Sequence, residues 1–297
     1  MHMIDISPSR DRVEIDREAA AGVSDRGLRH PRNEDAMALE AQQTPNGPVL
    51  VAVVCDGVST SARPDEASLA ATQVALPRLL AAAQAGEDLT EASRAAVQAA
   101  RESIAGLQGP TGDTAATTFV SAVATASEVT LCWLGDSRAY WLAQPASESR
   151  QLTMDDSVAG GMIAAGLADQ ATAMASPHAH VLTRWLGGDA ADLADEPDRA
   201  PHVKRFSPPG PGVLMVCSDG LWNYLPEAAD LAALAMPAAL TDQHSAAVRM
   251  VQFAIDSGGA DNITVVLIQY PRPDAPDPEY TPTVSVKAFS AEGVTPP

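Results

Sequence analysis

Five acidic residues stand where chemistry could be done: Glu34, Asp56, Asp136, Asp219 and Asp261, in RNEDA, VVCDG, CWLGDS, MVCSDG and GADNITVVLI. In three of these segments a short β-like apolar run stops at an Asp with a Gly beside it; in the last, an Asp-Asn step launches such a run. The pattern puts a carboxylate at a strand mouth, with Gly letting the backbone come close to whatever the carboxylate holds. Carboxylates gathered at one spot repel each other, and they take up protons or move apart unless cations sit among them. Carboxylate, backbone carbonyl and water ligands suit Mg²⁺ or Mn²⁺. The chemistry this predicts is metal-assisted hydrolysis.

A lone Asp-Gly is usually no more than a turn. After Asp56-Gly57, however, VSTSARPDEAS leads to a helix and not to a returning hairpin strand, and LWNYLPEAAD does the same after Asp219-Gly220. Taken singly, Asp136 reads as a cap for Ser137-Arg138, and Asp261 as a turn residue after Gly258-Gly259. Their joint order and context point to a site.

The elements that must position these residues alternate in blocks. Strands are predicted at about 13–23, 35–41 and 49–55. A helix rich in Ala and Leu should begin after Pro64, be kinked or restarted by Pro77 and end at Gly86. A second helix should open near Asp88 or Thr90, with Val97, Ala100, Ile104 and Leu107 on one face. TTFVSAVATA, EVTLCWLGDS and RAYWLA read as strands, the first two joined by a hairpin around Thr125 to Val129. Residues 152–198 read as helices and loops. Strands return at PHVKRF and GVLMVC, helices near 226–237 and 241–256, and DNITVVLIQY closes the sheet. Strand blocks interrupted by a helix pair, without regular βαβ alternation, indicate α+β layers.

The first dozen residues read as a frayed lead-in, 13–270 as one domain, and 271–297, Pro-rich with few large apolar residues, as a mobile tail. The formal net charge of −19, from 19 Lys plus Arg against 38 Asp plus Glu, argues against a nucleic-acid partner. Cys55, Cys132 and Cys217 all lie in apolar runs, an odd count that reads as reduced core thiols. No run approaches the roughly 18 uninterrupted apolar residues of a membrane span, and the N-terminus lacks a signal peptide's apolar stretch. A soluble, cytoplasmic protein is expected.

These segments together resemble the metal-dependent protein Ser/Thr phosphatases (PPM family, type 2C), in a bacterial-like form. SDRGLRHPRNEDA, VVCDGVSTS, GDTAATTFVSA, LGDSRAYWL, LTMDDS, LTRWLGG, CSDGLWNYL and DNITVVLI occur in the family's order across about residues 15–270. The resemblance implies an α-β-β-α sandwich of two antiparallel sheets with helices outside and metals between the sheet ends. It also implies that Asp56 bridges two Mn²⁺ or Mg²⁺ ions and that the Gly57 carbonyl holds the second. Asp219 and Asp261 would complete the first ion's shell, Glu34 would serve the second, and Asp35 would support them by hydrogen bonding. Asp136, with Asp219, matches the place where bacterial members bind a third ion. The implied reaction is attack on phosphorus by a metal-bridging water. His178 and His180 read as solvated side chains without a metal role.

Two departures stand out. Relatives usually carry an Arg four residues before the Glu of the Glu-Asp pair, where it clamps phosphate; here that position is His30, with Arg29 and Arg32 close by. An imidazole does not replace a bidentate guanidinium. Val58 and Asn223 stand where some relatives carry a His acid and a further acidic metal contact. The implied function is a protein phosphatase acting on phosphoserine and phosphothreonine, with phosphorylated proteins and an opposing Ser/Thr protein kinase as partners and 155–190 as a substrate-selecting flap. The rival readings are a regulatory pseudophosphatase and a phosphatase of small metabolites. Retention of all the primary metal carboxylates disfavours the first; the second would differ only in the flap.

Overall fold

The structure, a computed structural model, describes residues 12–109, 113–187 and 200–271. Two hairpins open the chain, β1 (Arg12–Arg17) with β2 (Ala20–Asp25) and β3 (Asp35–Thr44) with β4 (Gly47–Asp56). Helices α1 (Pro64–Ala85) and α2 (Leu89–Ile104) follow, then β5 (Ala116–Thr117), β6 (Phe119–Ala124), β7 (Val129–Leu134), β8 (Arg138–Ala143) and β9 (Arg150–Gln151). The segment expected as a flap contains α3 (Val158–Ala164), α4 (Gln170–Met174) and β10 (Leu186–Gly187). The chain continues through β11 (His202–Phe206), β12 (Gly212–Cys217), α5 (Asp219–Trp222), α6 (Ala228–Ala235) and α7 (Gln243–Asp256) to β13 (Ile263–Tyr270).

The strands form two large sheets, ordered β1-β2-β13-β12-β8-β9 and β11-β7-β6-β4-β3, with β10 and β5 as a separate pair. Adjacent strands are antiparallel throughout. Side chains alternate between the two faces of a strand, and both faces are apolar here. In β4, Leu50, Ala52 and Val54 face the other sheet, while Val51, Val53 and Cys55 pack under α1 and α2. In β12, Leu214 and Val216 join the core between the sheets, while Val213, Met215 and Cys217 meet α6 and α7. Three buried layers between four structural layers make the expected α-β-β-α sandwich. Truncating a leucine in such a layer costs about 2–5 kcal/mol. All three cysteines are free and buried.

The sequence reading needs correction in two places. Residues 13–23, read as one strand, are a hairpin that turns at Glu18-Ala19 without Gly, Pro or Asn. Of the two outcomes expected at Pro77, a kink or a restart, the restart does not occur: α1 runs unbroken for 22 residues. The carbonyl that loses its partner belongs to Gln73, one turn earlier on the same exposed face, where water can satisfy it. The helix starts on Pro64 with Asp65 and Glu66 in its first turn and closes on Gly86 at φ 70°, an arrangement suited to each end. Asp88 caps α2 by accepting from the Thr90 and Glu91 amides. Among the described residues no helix is long and apolar enough to cross a membrane. Apart from Arg12 and Pro271, the predicted lead-in and tail lie outside the described residues, as do positions 188–190 of the flap.

Candidate metal centre

The acidic residues sit where one end of each sheet meets the other. Asp35 opens β3 and Asp56 closes β4, register partners on the last rung of their ladder. Asp136 lies between β7 and β8, Asp219 just beyond β12 and Asp261 just ahead of β13. Asp56, Gly57, Asp136, Asp219 and Asp261 line one cavity of about 810 Å³, which also takes in Val58, Ser59 and Thr118. Glu34 and Asp136 are each 6% exposed.

The end of β4 is held by the threonine-rich segment. The Thr118 hydroxyl accepts from the Asp56 amide at 3.0 Å, and the Asp56 carbonyl accepts from the Thr117 hydroxyl and the Thr118 amide. Gly57 follows in a space with no room for a side chain: a Cβ there would lie 2.5 Å from the Pro64 carbonyl oxygen and 2.7 Å from that of Glu34. Gly220 is equally confined, since a Cβ would lie 2.0 Å from the Asn262 carbonyl oxygen. Gly57 lets the chain leaving β4 pass close to the start of α1, and Gly220 lets the first turn of α5 lie against the start of β13.

A hydroxyl network, not foreseen in the sequence, holds Asp35. Its Oδ2 accepts from Ser218 at 2.8 Å and Thr264 at 2.6 Å; Ser24 donates to Thr264, and Asn33 to Ser24. Asn262 was also missed. Its side-chain oxygen accepts from the Glu34 amide at 2.7 Å while its Nδ2 donates to the carbonyls of Arg26 and Arg32. One buried amide thus fixes the loop carrying the Glu-Asp pair onto the start of β13. Ser59 donates to Glu34 Oε2 at 2.5 Å, and Asn223 donates to Asp219 Oδ2 at 3.0 Å.

Burial, together with the charges of Asp35 and Asp219, pushes the Asp56 carboxyl well above the usual carboxylate range. Burial and Asp219 do the same for Asp136. Asp219 is pushed to about 6 by burial and Asp261, and Asp35 to about 7, chiefly by burial. Buried oxygens Oδ1 of Asp35 and Oδ1 of Asp219 have no hydrogen-bond partner. Orphaned oxygens and mutually repelling carboxyls are what a divalent cation would satisfy, so the donor set fits Mg²⁺ or Mn²⁺. Among the described residues no three His, Cys, Asp or Glu side chains close around one point as they stand. An ion that keeps several waters and takes only one or two carboxylates does not need them to.

His30 lies between two of the acids, Nε2 at 3.1 Å from Asp261 Oδ1 and Nδ1 at 3.9 Å from Glu34 Oε2. Arg32 pairs with Glu34 at 3.2 Å and Asp65 at 3.4 Å, while Arg29 is exposed. His178 and His180 are both exposed as expected, and the His180 ring also lines the cavity and stacks on Trp222 with centroids 5.8 Å apart. The other face of Trp222 meets the Arg138 guanidinium at 3.6 Å, and its Nε1 donates to the Asp136 carbonyl. Arg138 in turn pairs with buried Asp155 at 2.7 Å. The flap segment is therefore moored to the acidic cleft at both of its ends.

The chain aligns over 277 residues with the serine/threonine protein phosphatase PstP of Mycobacterium tuberculosis at 27% identity, covering 92% of this chain and 48% of that protein. It spans about half the length of the curated relatives it matches. Among solved structures, the PPM Ser-Thr phosphatase MsPP from Mycobacterium smegmatis, in complex with cacodylate, superposes with a TM-score of 0.64 at 28% identity, covering 84% of this chain and 97% of that one. The catalytic domain of PstP in complex with two manganese ions gives a TM-score of 0.63 at 26% identity, with 84% and 96% covered. The protein phosphatase 2C family profile matches residues 27–252, a span that contains all the acidic residues of the cleft except Asp261. The sandwich, the strand-end acids and this match agree, and the chain belongs to the protein phosphatase 2C family.

Proposed function

We propose that this chain is a metal-dependent protein phosphatase that hydrolyses phosphoserine and phosphothreonine in phosphorylated proteins. The observation that carries the reading is the convergence of Asp56, Asp136, Asp219 and Asp261 from both sheets on one cavity, with orphaned oxygens on Asp35 and Asp219. Asp56, Asp219 and Asp261, with Glu34 and the Gly57 carbonyl, would hold two Mn²⁺ or Mg²⁺ ions, and Asp136 with Asp219 a third. Bound there, such ions activate water near neutral pH and neutralise phosphoryl charge. A manganese-bound relative of the same fold supports this choice of metal.

The chain's own groups divide the remaining work. Asp35, with its Ser218 and Thr264 donors, keeps β3 and β12 in place beneath the acids. His30, Arg32 and Arg29 are the candidates to orient the phosphoryl oxygens. Val58, on the cavity wall, cannot give a proton to the leaving hydroxyl, so none of the chain's side chains at that position serves as the acid. An opposing Ser/Thr protein kinase and a cytoplasmic setting follow from this reading.

Hydrolysis of a phosphothreonine peptide, measured with Mn²⁺ and after chelation, tests it. Turnover should vanish with chelator and return with Mn²⁺. Asp56→Asn should lower metal affinity more than about 100-fold, since even outer partners of a metal site are worth 10–100-fold, while circular dichroism stays native. Turnover that persists after complete metal removal would sink the mechanism.

A further inference from the structure

One wall of the acidic cleft is apolar and open. Val181, Leu182 and Trp185 line the same cavity as Asp56, Asp219 and Asp261. Val181 is 52% exposed and Trp185 36%. The backbone carrying them is fixed on both sides. Trp185 immediately precedes β10, whose Leu186 is in register with Thr117. Thr117 bridges to Gly57 and donates its hydroxyl to the Asp56 carbonyl. A lateral ladder of three short segments therefore sets the position of Trp185 relative to the acids. Val181 and Leu182 are tied to the start of α3, through the Val158 amide on the Val181 carbonyl at 2.9 Å and the Ser157–Leu182 bridge.

We propose that Trp185, with Val181 and Leu182, forms an apolar subsite for a large aliphatic or aromatic side chain flanking the phosphorylated residue of a protein substrate, and so sets specificity. The proposal rests on the phosphatase reading above and deepens it. Three observations fix the occupant. The wall is continuous with the acids, so whatever lies against it is attached to the group being hydrolysed. The cavity, at about 810 Å³, falls in the range of sites that enclose a whole ligand of several groups, well beyond one phosphorylated side chain. Apart from this wall the lining is mostly acidic or hydroxyl-bearing, with Gly57, Val58, Ala116 and His180 as the exceptions, so an acidic neighbour is repelled while an apolar one gains burial.

The test uses full-length protein with Mn²⁺ and three substrates: phosphothreonine itself, and two sets of phosphothreonine peptides that differ only in carrying Leu or Ser at each flanking position in turn. At one flanking position the wild type should prefer Leu at least about tenfold in kcat/KM, mostly through KM, the size of a methylene-scale pocket discrimination. Trp185→Ala and, independently, Val181→Ser should erase the preference, Trp185→Phe should keep it, and turnover of phosphothreonine should stay unchanged in all three. Val181 is exposed enough for Ser to be tolerated, so a misfolded Trp185→Ala protein would leave a valid arm. Equal kcat/KM for Leu and Ser peptides, with phosphothreonine hydrolysed, overturns the subsite alone. Equal losses on every substrate in both variants also overturn it, as a purely structural role. A concentration-dependent dimer that disappears in Trp185→Ala assigns the wall to a second copy and overturns it too. Failure of the wild type to hydrolyse phosphothreonine and every peptide of both sets removes the phosphatase reading, and the subsite with it.

Discussion

Asp35 and Asp56 face each other as register partners on the last rung of the β3–β4 ladder, and the Asp35 charge raises the proton affinity of the Asp56 carboxyl. Two further acids of the cleft, Asp261 and Asp219, add to the burial that pushes Asp35 itself upward. Two strands that pair well along ten residues thus end in a like-charge contact that pairing alone does not relieve. The ladder holds the acids together; the acids work against the ladder's end.

Metal-free protein should therefore lose stability as pH rises. The folded-state pKa of Asp35, about 7, and of Asp219, about 6, lie above the ordinary aspartate value of 3.8. Groups shifted this way contribute stability that is fully present below about pH 4 and lost as pH rises through the folded values. Melting temperature in chelator should fall between pH 5 and 8, and Asp35→Asn should flatten that slope. The same slope in Asp35→Asn and wild type would place the pH sensitivity elsewhere.

Asn262→Ala should destabilise the protein by about 2 kcal/mol, since the Glu34 amide and two carbonyls lose a buried partner. The side chain sits at 2% exposure, so water does not readily replace it. Because the loop it holds carries Glu34, manganese affinity should drop about tenfold alongside. Urea unfolding and calorimetric metal titration read the two effects separately. Lost stability with metal affinity intact would make Asn262 a fold residue only.

His30→Arg should lower KM for a phosphothreonine peptide about tenfold, the value of one charge-assisted hydrogen bond. A guanidinium offers a planar, permanently charged fork in place of a single ring nitrogen. Arg32→Ala and Arg29→Ala are the controls, since Arg32 already reaches Glu34 and Asp65. If KM rises in one of these and His30→Arg changes nothing, phosphate is held at that arginine instead.

The cleft positions of Asp56, Asp136, Asp219 and Asp261 were legible in the sequence because three of them stop an apolar run and Asp261 launches one, and strand ends are where a sandwich can bring distant segments together. The four layers were legible in the runs themselves: β4 is apolar from Val49 to Cys55 and β12 from Val213 to Cys217, as strands covered on both faces must be. What escaped was cooperation between residues 183 to 229 positions apart. Nothing local in DNIT shows that Asn262 seats the Glu34 loop, or that Thr264 and Ser218 donate to Asp35. The β1–β2 turn lacked the residues that usually announce one, and the two-residue β10–β5 pair is too short for any periodicity. His180 is exposed as its sequence suggests; its stacking on Trp222 escaped because that ring lies in another motif.

Among the described residues, the strand latest in the chain is among the most interior. β13 lies between β2 and β12, and Asp261 enters just ahead of it. While a ribosome is still making this segment, the first sheet has a gap at its middle, Asp35 lacks its Thr264 donor and the loop bearing Glu34 lacks its Asn262 anchor. Pairings of such long sequence separation form slowly. A partly made chain consequently lacks Asp261 and the supports of Asp35 and Glu34 until β13 is in place, so the acidic cleft is completed late.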